Sequence, residues 1–101
     1  MGAALANMTG MALISDNFSV SMINFGQPRV GDTTYYKFSD SKFPNQSRIT
    51  HYRDPVPQVP LKDLMDYHHT ATEFYEDEFG KVNKCDGSGE DPKCNDQWHK
   101  W

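Results

Sequence analysis

The residue whose type and placement could do chemistry is Asp54, in the run RITHYRDPVPQVP from Arg48 to Pro60. "RITHY" alternates and is β-prone, so it predicts a strand over Ser47–Tyr52. Asp54 comes directly after its end. Prolines at positions 55, 57 and 60 then hold the backbone extended and limit its freedom. A carboxylate so placed suits the orientation of another side chain. The plainer alternative is an Asp that caps a turn before proline. The other reactive candidates are Cys85 and Cys94 in CDGSGEDPKC, and the histidines at 51, 68, 69 and 99. The cysteines have neither CxxC spacing nor a nearby histidine pair, so no metal site is expected. The turn-rich insert between them could close a disulfide, adding about 2.5–3 kcal/mol in the chain-entropy description; two free thiols are the alternative. Each isolated histidine is read as structural or exposed.

Patterning along the chain gives the elements around these residues. Ala3–Ile14 is rich in Ala, Leu and Met and predicts a mostly buried helix. "FSVSMINF" alternates and predicts a strand over Phe18–Phe25. "GQPRVGD" is a loop, and Asp32 or Thr33 can cap a helix across TTYYKFSDSKF. The strand carrying Arg48 comes next. Helix, strand, helix, strand favours a parallel α/β sheet, in which ligands sit outside the carboxyl ends of the strands. Asp54 falls at such an end. After Pro60, LKDLMDYHH is irregular or briefly helical. TATEFYE and KVNKC predict two short strands about Phe79-Gly80, an antiparallel addition, and the tail from Asp86 is loop-like.

Composition narrows the function. The 101 residues suit one small domain, taken as 1–101. A net charge of −4 argues against a nucleic-acid surface, which needs clustered Lys and Arg. No stretch reaches the roughly 20 apolar residues of a membrane span. The N-terminus lacks a basic region, and Asn7, Thr9 and Gly10 interrupt its apolar run, so it is not read as a signal peptide. The cysteine pair and three sequons, at Asn7, Asn17 and Asn45, point to an oxidising compartment.

Four stretches, in order, resemble the class 3 or fungal-type lipases. They are NFGQPRVGD (Asn24–Asp32), RITHYRDPVPQVP, YHHTATEFY (Tyr67–Tyr75) and the loop CDGSGEDPKC. The resemblance spans nearly the whole chain. It implies a partial α/β-hydrolase fold and a Ser-His-Asp triad acting on lipid esters, typically acylglycerols, with no cofactor. It implies that Asp54 is the triad acid, which fixes the tautomer of the catalytic histidine and stabilises its imidazolium. MGAALAN resembles the segment just after the family's nucleophile, so the Met1 backbone N–H would donate to the oxyanion. No G-x-S-x-G occurs in the chain. The nucleophile is therefore expected one residue before Met1, and the catalytic histidine beyond the chain. His51 and His69 match non-triad histidines, His68 matches nothing, and His99 comes too early. The resemblance further implies a parent protein in an extracellular, secretory or lysosomal compartment, working at a lipid–water interface. Alone, the chain is expected to be inactive. The competing expectation is a non-catalytic secreted binding module that uses QWHKW and EFYEDEF as a contact surface.

Overall fold

The computed structural model describes residues 1–98. In chain order the elements are α1 (Gly2–Ser15), β1 (Met22–Phe25), β2 (Gly31–Asp32), α2 (Thr33–Lys42) and β3 (Gln46–His51). Next come a 3₁₀ turn (Val56–Gln58), α3 (Lys62–Met65), β4 (Tyr67–His68), β5 (Glu73–Glu76), β6 (Val82–Lys84) and a second 3₁₀ turn (Asn95–Trp98). The main sheet has the order β1-β3-β5-β6. β1 and β5 both run parallel to β3, with Asn24 opposite Arg48 and Arg48 opposite Glu73; β6 returns antiparallel to β5. This is the α/β arrangement that the order of elements predicts, and the β5–β6 hairpin is where the sequence puts it.

Local chemistry sets the boundaries. Asp32 accepts the Tyr35 N–H at 2.9 Å and so caps α2, satisfying a donor that the first helical turn leaves free. α1 ends in a Schellman-type cap. Asn17 takes the left-handed conformation at φ 67° and its N–H reaches Ile14 O, while the Phe18 N–H reaches Leu13 O, both at 3.0 Å. That cap corrects the expected strand: Phe18 serves the helix end, so pairing begins at Met22 rather than Phe18. β3 begins at Gln46 and ends at His51, one residue earlier at each end than expected. β2 and β4 form a two-residue antiparallel ribbon that no pattern in the sequence announces.

The expectation of a mostly buried α1 is also corrected. Only Asn7 and Gly10 are fully covered, while Leu5, Met8 and Leu13 are exposed. The helix meets the sheet through its small and polar side. The Phe43 ring lies against Gly10, where a Cβ would fall 2.4 Å from Phe43 Cε2. Asn7 Nδ2 donates to Gln46 Oε1 at 2.9 Å, and the Tyr35 hydroxyl donates to Asn7 Oδ1 at 2.5 Å. The covered sheet face is correspondingly polar, carrying Asn24, Gln46, Arg48, Thr50 and Glu73. The apolar side chains of β1 point the other way, with Ile23 67% and Phe25 70% exposed.

Candidate functional site

Asp54 lies just past the carboxyl end of β3, beside the carboxyl end of β1. Its N–H donates to His51 O at 2.9 Å, closing a turn in which Tyr52 is held at φ 37°. Its Oδ1 accepts the Val56 N–H at 3.0 Å, the side-chain turn that Asp makes ahead of a proline-rich exit. Its Oδ2 faces Gly26, only 3.1 Å from where a Cβ on that residue would sit. Gly26 is at φ +65° and bonds to Ile49 O, so it turns the chain out of β1 and leaves room for the carboxylate. The amino end of α1 reaches the same region. Asn24, the residue before Phe25 at the end of β1, donates through Nδ2 to Ala3 O at 3.2 Å. Met1 is the N-terminal cap residue of α1, and its carbonyl accepts the Leu5 N–H at 3.1 Å.

A buried polar frame holds the Asp54 turn from behind. Asn95 Nδ2 donates to Asp54 O at 3.2 Å. Gln58 Nε2 in turn donates to Asn95 O at 2.6 Å and to Asn95 Oδ1. The Asn95 N–H donates to Glu73 Oε2, which also accepts the Thr50 hydroxyl. Arg29 clasps the loop from the other side. Its Nε and Nη2 hold both oxygens of Glu90 at 2.8 and 2.7 Å, and its Nη1 donates to Gln58 O and Pro60 O. Burial alone would raise the Glu90 carboxyl, but the Arg29 hydrogen bonds and charge bring it below the ordinary glutamate value. Cys85 and Cys94 form the disulfide that closes this frame, with an S–S distance of 2.04 Å. Within its loop, Gly89 at φ +83° lies where a Cβ would fall 2.4 Å from His69 O, so only glycine allows that approach. Glu73 lies close to both cysteines, but sulfurs joined to each other are not thiolate ligands.

The described histidines stand apart from the Asp54 carboxylate. His51 pairs with Glu76 at 2.9 Å on the surface, and His68 stacks on Tyr36 at a centroid distance of 3.7 Å. His69 is buried and donates from Nε2 to Pro57 O at 2.6 Å. Burial first, and then the Arg48 charge, hold it neutral, well below the usual imidazole value. His99 and the end of QWHKW lie outside the described residues. Sequence reasoning singled out Asp54 and the cysteines but missed Arg29, Gln58, Glu90 and Asn95 as supports. Arg29 lies within the GQPRVG phrase, the one signal that could have found it.

A largely parallel α/β sheet with helices packed against it is the arrangement of the α/β-hydrolases. Residues 1–64 match the class 3 lipase family, and the chain belongs to that family. It is 30% identical over 95 residues to the secreted mono- and diacylglycerol lipase 1 of Fusarium solani, covering 86% of this chain and 28% of that protein. It is 33% identical over 76 residues to the secreted mono- and diacylglycerol lipase A of Penicillium cyclopium, covering 74% and 24% respectively. The solved structure of lipase II from Rhizopus niveus superposes with a TM-score of 0.83 at 28% identity, over 95% of this chain and 38% of that one. The chain thus spans about a quarter to two fifths of the length of these relatives.

Proposed function

We propose that residues 1–101 are part of a lipase domain that hydrolyses lipid esters, and that Asp54 is its triad acid. The observation that carries this reading is the Asp54 carboxylate, stiffly held at the carboxyl end of a parallel strand with glycine opposite it. A triad acid must aim an imidazole and stabilise its positive charge without itself moving, and the Val56, Asn95 and Gln58 contacts restrict such movement. The Met1 backbone N–H, at the head of α1, would serve the oxyanion, where a helix N-terminus favours negative charge. The substrates are acylglycerols or related lipid esters met at a lipid–water interface, and the protein is extracellular. The names of the secreted mono- and diacylglycerol lipases support both points.

On this reading Asp54 is this chain's part of the triad, and the serine and histidine are supplied by the rest of the lipase domain. Loss of a triad serine costs about a millionfold in kcat. The test grafts this chain in place of the matching segment of the Fusarium solani relative and monitors hydrolysis of a short-chain p-nitrophenyl ester. Asp54→Asn should leave the fold intact and lower kcat by about 10⁴-fold, because the amide favours the wrong histidine tautomer and removes the charge. Asp32→Asn, at a helix cap, should do far less. Near-full activity in Asp54→Asn would refute the assignment.

A further inference from the structure

Three Asn-x-Ser/Thr acceptor sequences occur in the chain: Asn7-Met8-Thr9, Asn17-Phe18-Ser19 and Asn45-Gln46-Ser47. The fold treats them very differently. Asn7 is 0% exposed, and both polar atoms of its amide are committed inside the layer between α1, α2 and β3. An oligosaccharide on Nδ2 would displace the Gln46 bond and has no volume to occupy beside Ser39 and Tyr35. Asn17 is exposed in the left-handed position that ends α1, and its neighbours Phe18 and Ser19 are exposed too. Asn45 is exposed at the bend before β3. Among the described residues neither side chain is engaged in a hydrogen bond; only the backbone of each is used.

From this contrast we infer that Asn17 and Asn45 are N-glycosylation sites, and that Asn7 is bare in the folded protein. In the transfer, Asn Nδ2 forms a bond to the anomeric carbon of a lipid-pyrophosphate-linked oligosaccharide. The anomeric C–O bond breaks, the lipid pyrophosphate leaves with the electron pair, and the amide gives up one proton. The inference rests on the extracellular location proposed above, reached through a eukaryotic secretory compartment.

The placement is compatible with that function. The Met22 N–H donates to Asn45 O at 2.9 Å, so Asn45 sits at the amino end of both β1 and β3. Asn17 enters the same end five residues ahead of Met22. Asp54 stands at the opposite end of β3, a strand of six residues and so about 20 Å long. Glycans at Asn17 and Asn45 would leave the carboxyl end of the sheet clear.

The test expresses the 101-residue chain in yeast behind a cleavable signal sequence. Released glycan sites are marked by N-glycanase in H₂¹⁸O and mapped by mass spectrometry, in both the secreted and the cell-retained pools. Asn17 and Asn45 should carry the label in both pools. Asn7, although its Thr9 makes a competent acceptor in the unfolded chain, should be unlabelled in secreted protein. Asn17→Gln and Asn45→Gln should each remove one glycan, and Asn7→Gln none from the secreted pool. Absence of label at Asn17 and Asn45 overturns the inference, as does label at Asn7 in secreted protein. If no chain reaches the medium, labelling of Asn17 and Asn45 in the retained pool decides those two sites, and the protease-resistant fraction of that pool, in which Asn7 should be unlabelled, decides the third. Because the signal sequence forces entry, a negative result counts against the sites and leaves the hydrolase assignment to the ester assay.

Discussion

Arg29→Met tests whether the frame behind Asp54 is energetically what its geometry says. The Arg29 and Glu90 side chains are 2% and 10% exposed, and the guanidinium makes two bonds to the carboxylate and two to backbone carbonyls. Methionine fills much of the volume but leaves the Glu90 charge buried without its cation. Removing one partner of a buried pair costs about 3–5 kcal/mol. A whole folded domain has roughly 5–15 kcal/mol in all. The variant should therefore lose about two to four orders of magnitude in its folding equilibrium. The assay is urea unfolding at low micromolar concentration, monitored by tryptophan fluorescence with the disulfide intact. Hydrogen exchange at the Val56 amide, which donates to Asp54 Oδ1, reports on the Asp54 turn in the same samples and should accelerate. The double variant Arg29→Met/Glu90→Leu removes both charges, and Asp96, 3.5 Å from Arg29, keeps its Lys62 partner at 2.6 Å, so about 2 kcal/mol or more should be recovered. A single variant within about 1 kcal/mol of the parent would refute the reasoning. So would a double variant no better than the single.

Gly26→Ala should cost about 1–2 kcal/mol from its left-handed backbone alone. It should also push the Asp54 carboxylate by a few tenths of an ångström; in the grafted enzyme the expected signature is a lower kcat with little change in KM, and unchanged stability would count against it. His69 is held neutral when folded but takes a proton near pH 6.5 when unfolded, so its contribution is present above that pH and lost as the pH falls below it. Glu73, raised above the ordinary value chiefly by burial, works in the opposite sense, gaining stability on acidification. His69→Gln should accordingly flatten the loss between pH 6.5 and 5 by about one proton's worth of slope; equal slopes in denaturant titrations would contradict this. Ile23 and Phe25 leave an apolar face and the unpaired edge of β1 open, so the isolated chain should self-associate as its concentration rises. Ile23→Lys/Phe25→Lys should suppress that in light scattering, and undiminished association would locate the contact elsewhere.

Some of this architecture is written locally. The Ala- and Leu-rich start of α1, the Asp32 cap, the alternation in β3 and the β5–β6 hairpin each depend on neighbours a few residues away. For that reason they are legible in the chain by itself. The position of Asp54, at the end of an alternating run and ahead of three prolines, is legible on the same terms, and so is the proximity of Cys85 and Cys94. What the sequence could not state is which surfaces meet. An apolar helix suggests burial, yet α1 is covered on its Asn7 and Gly10 side, because the sheet face it meets is polar and closely approached. A two-residue ribbon between β2 and β4 carries too few residues to show a period. Arg29 and Glu90 are 61 positions apart, and nothing in either neighbourhood names the other. Their pairing, like the choice between a buried Asn7 and exposed Asn17 and Asn45, was decided when the strands took their order and brought distant loops to one end of the sheet. A hydrogen bond or a close ion pair needs its partners in contact, so those partners are chosen by three-dimensional packing, whereas helix, turn and strand preferences are chosen along the chain.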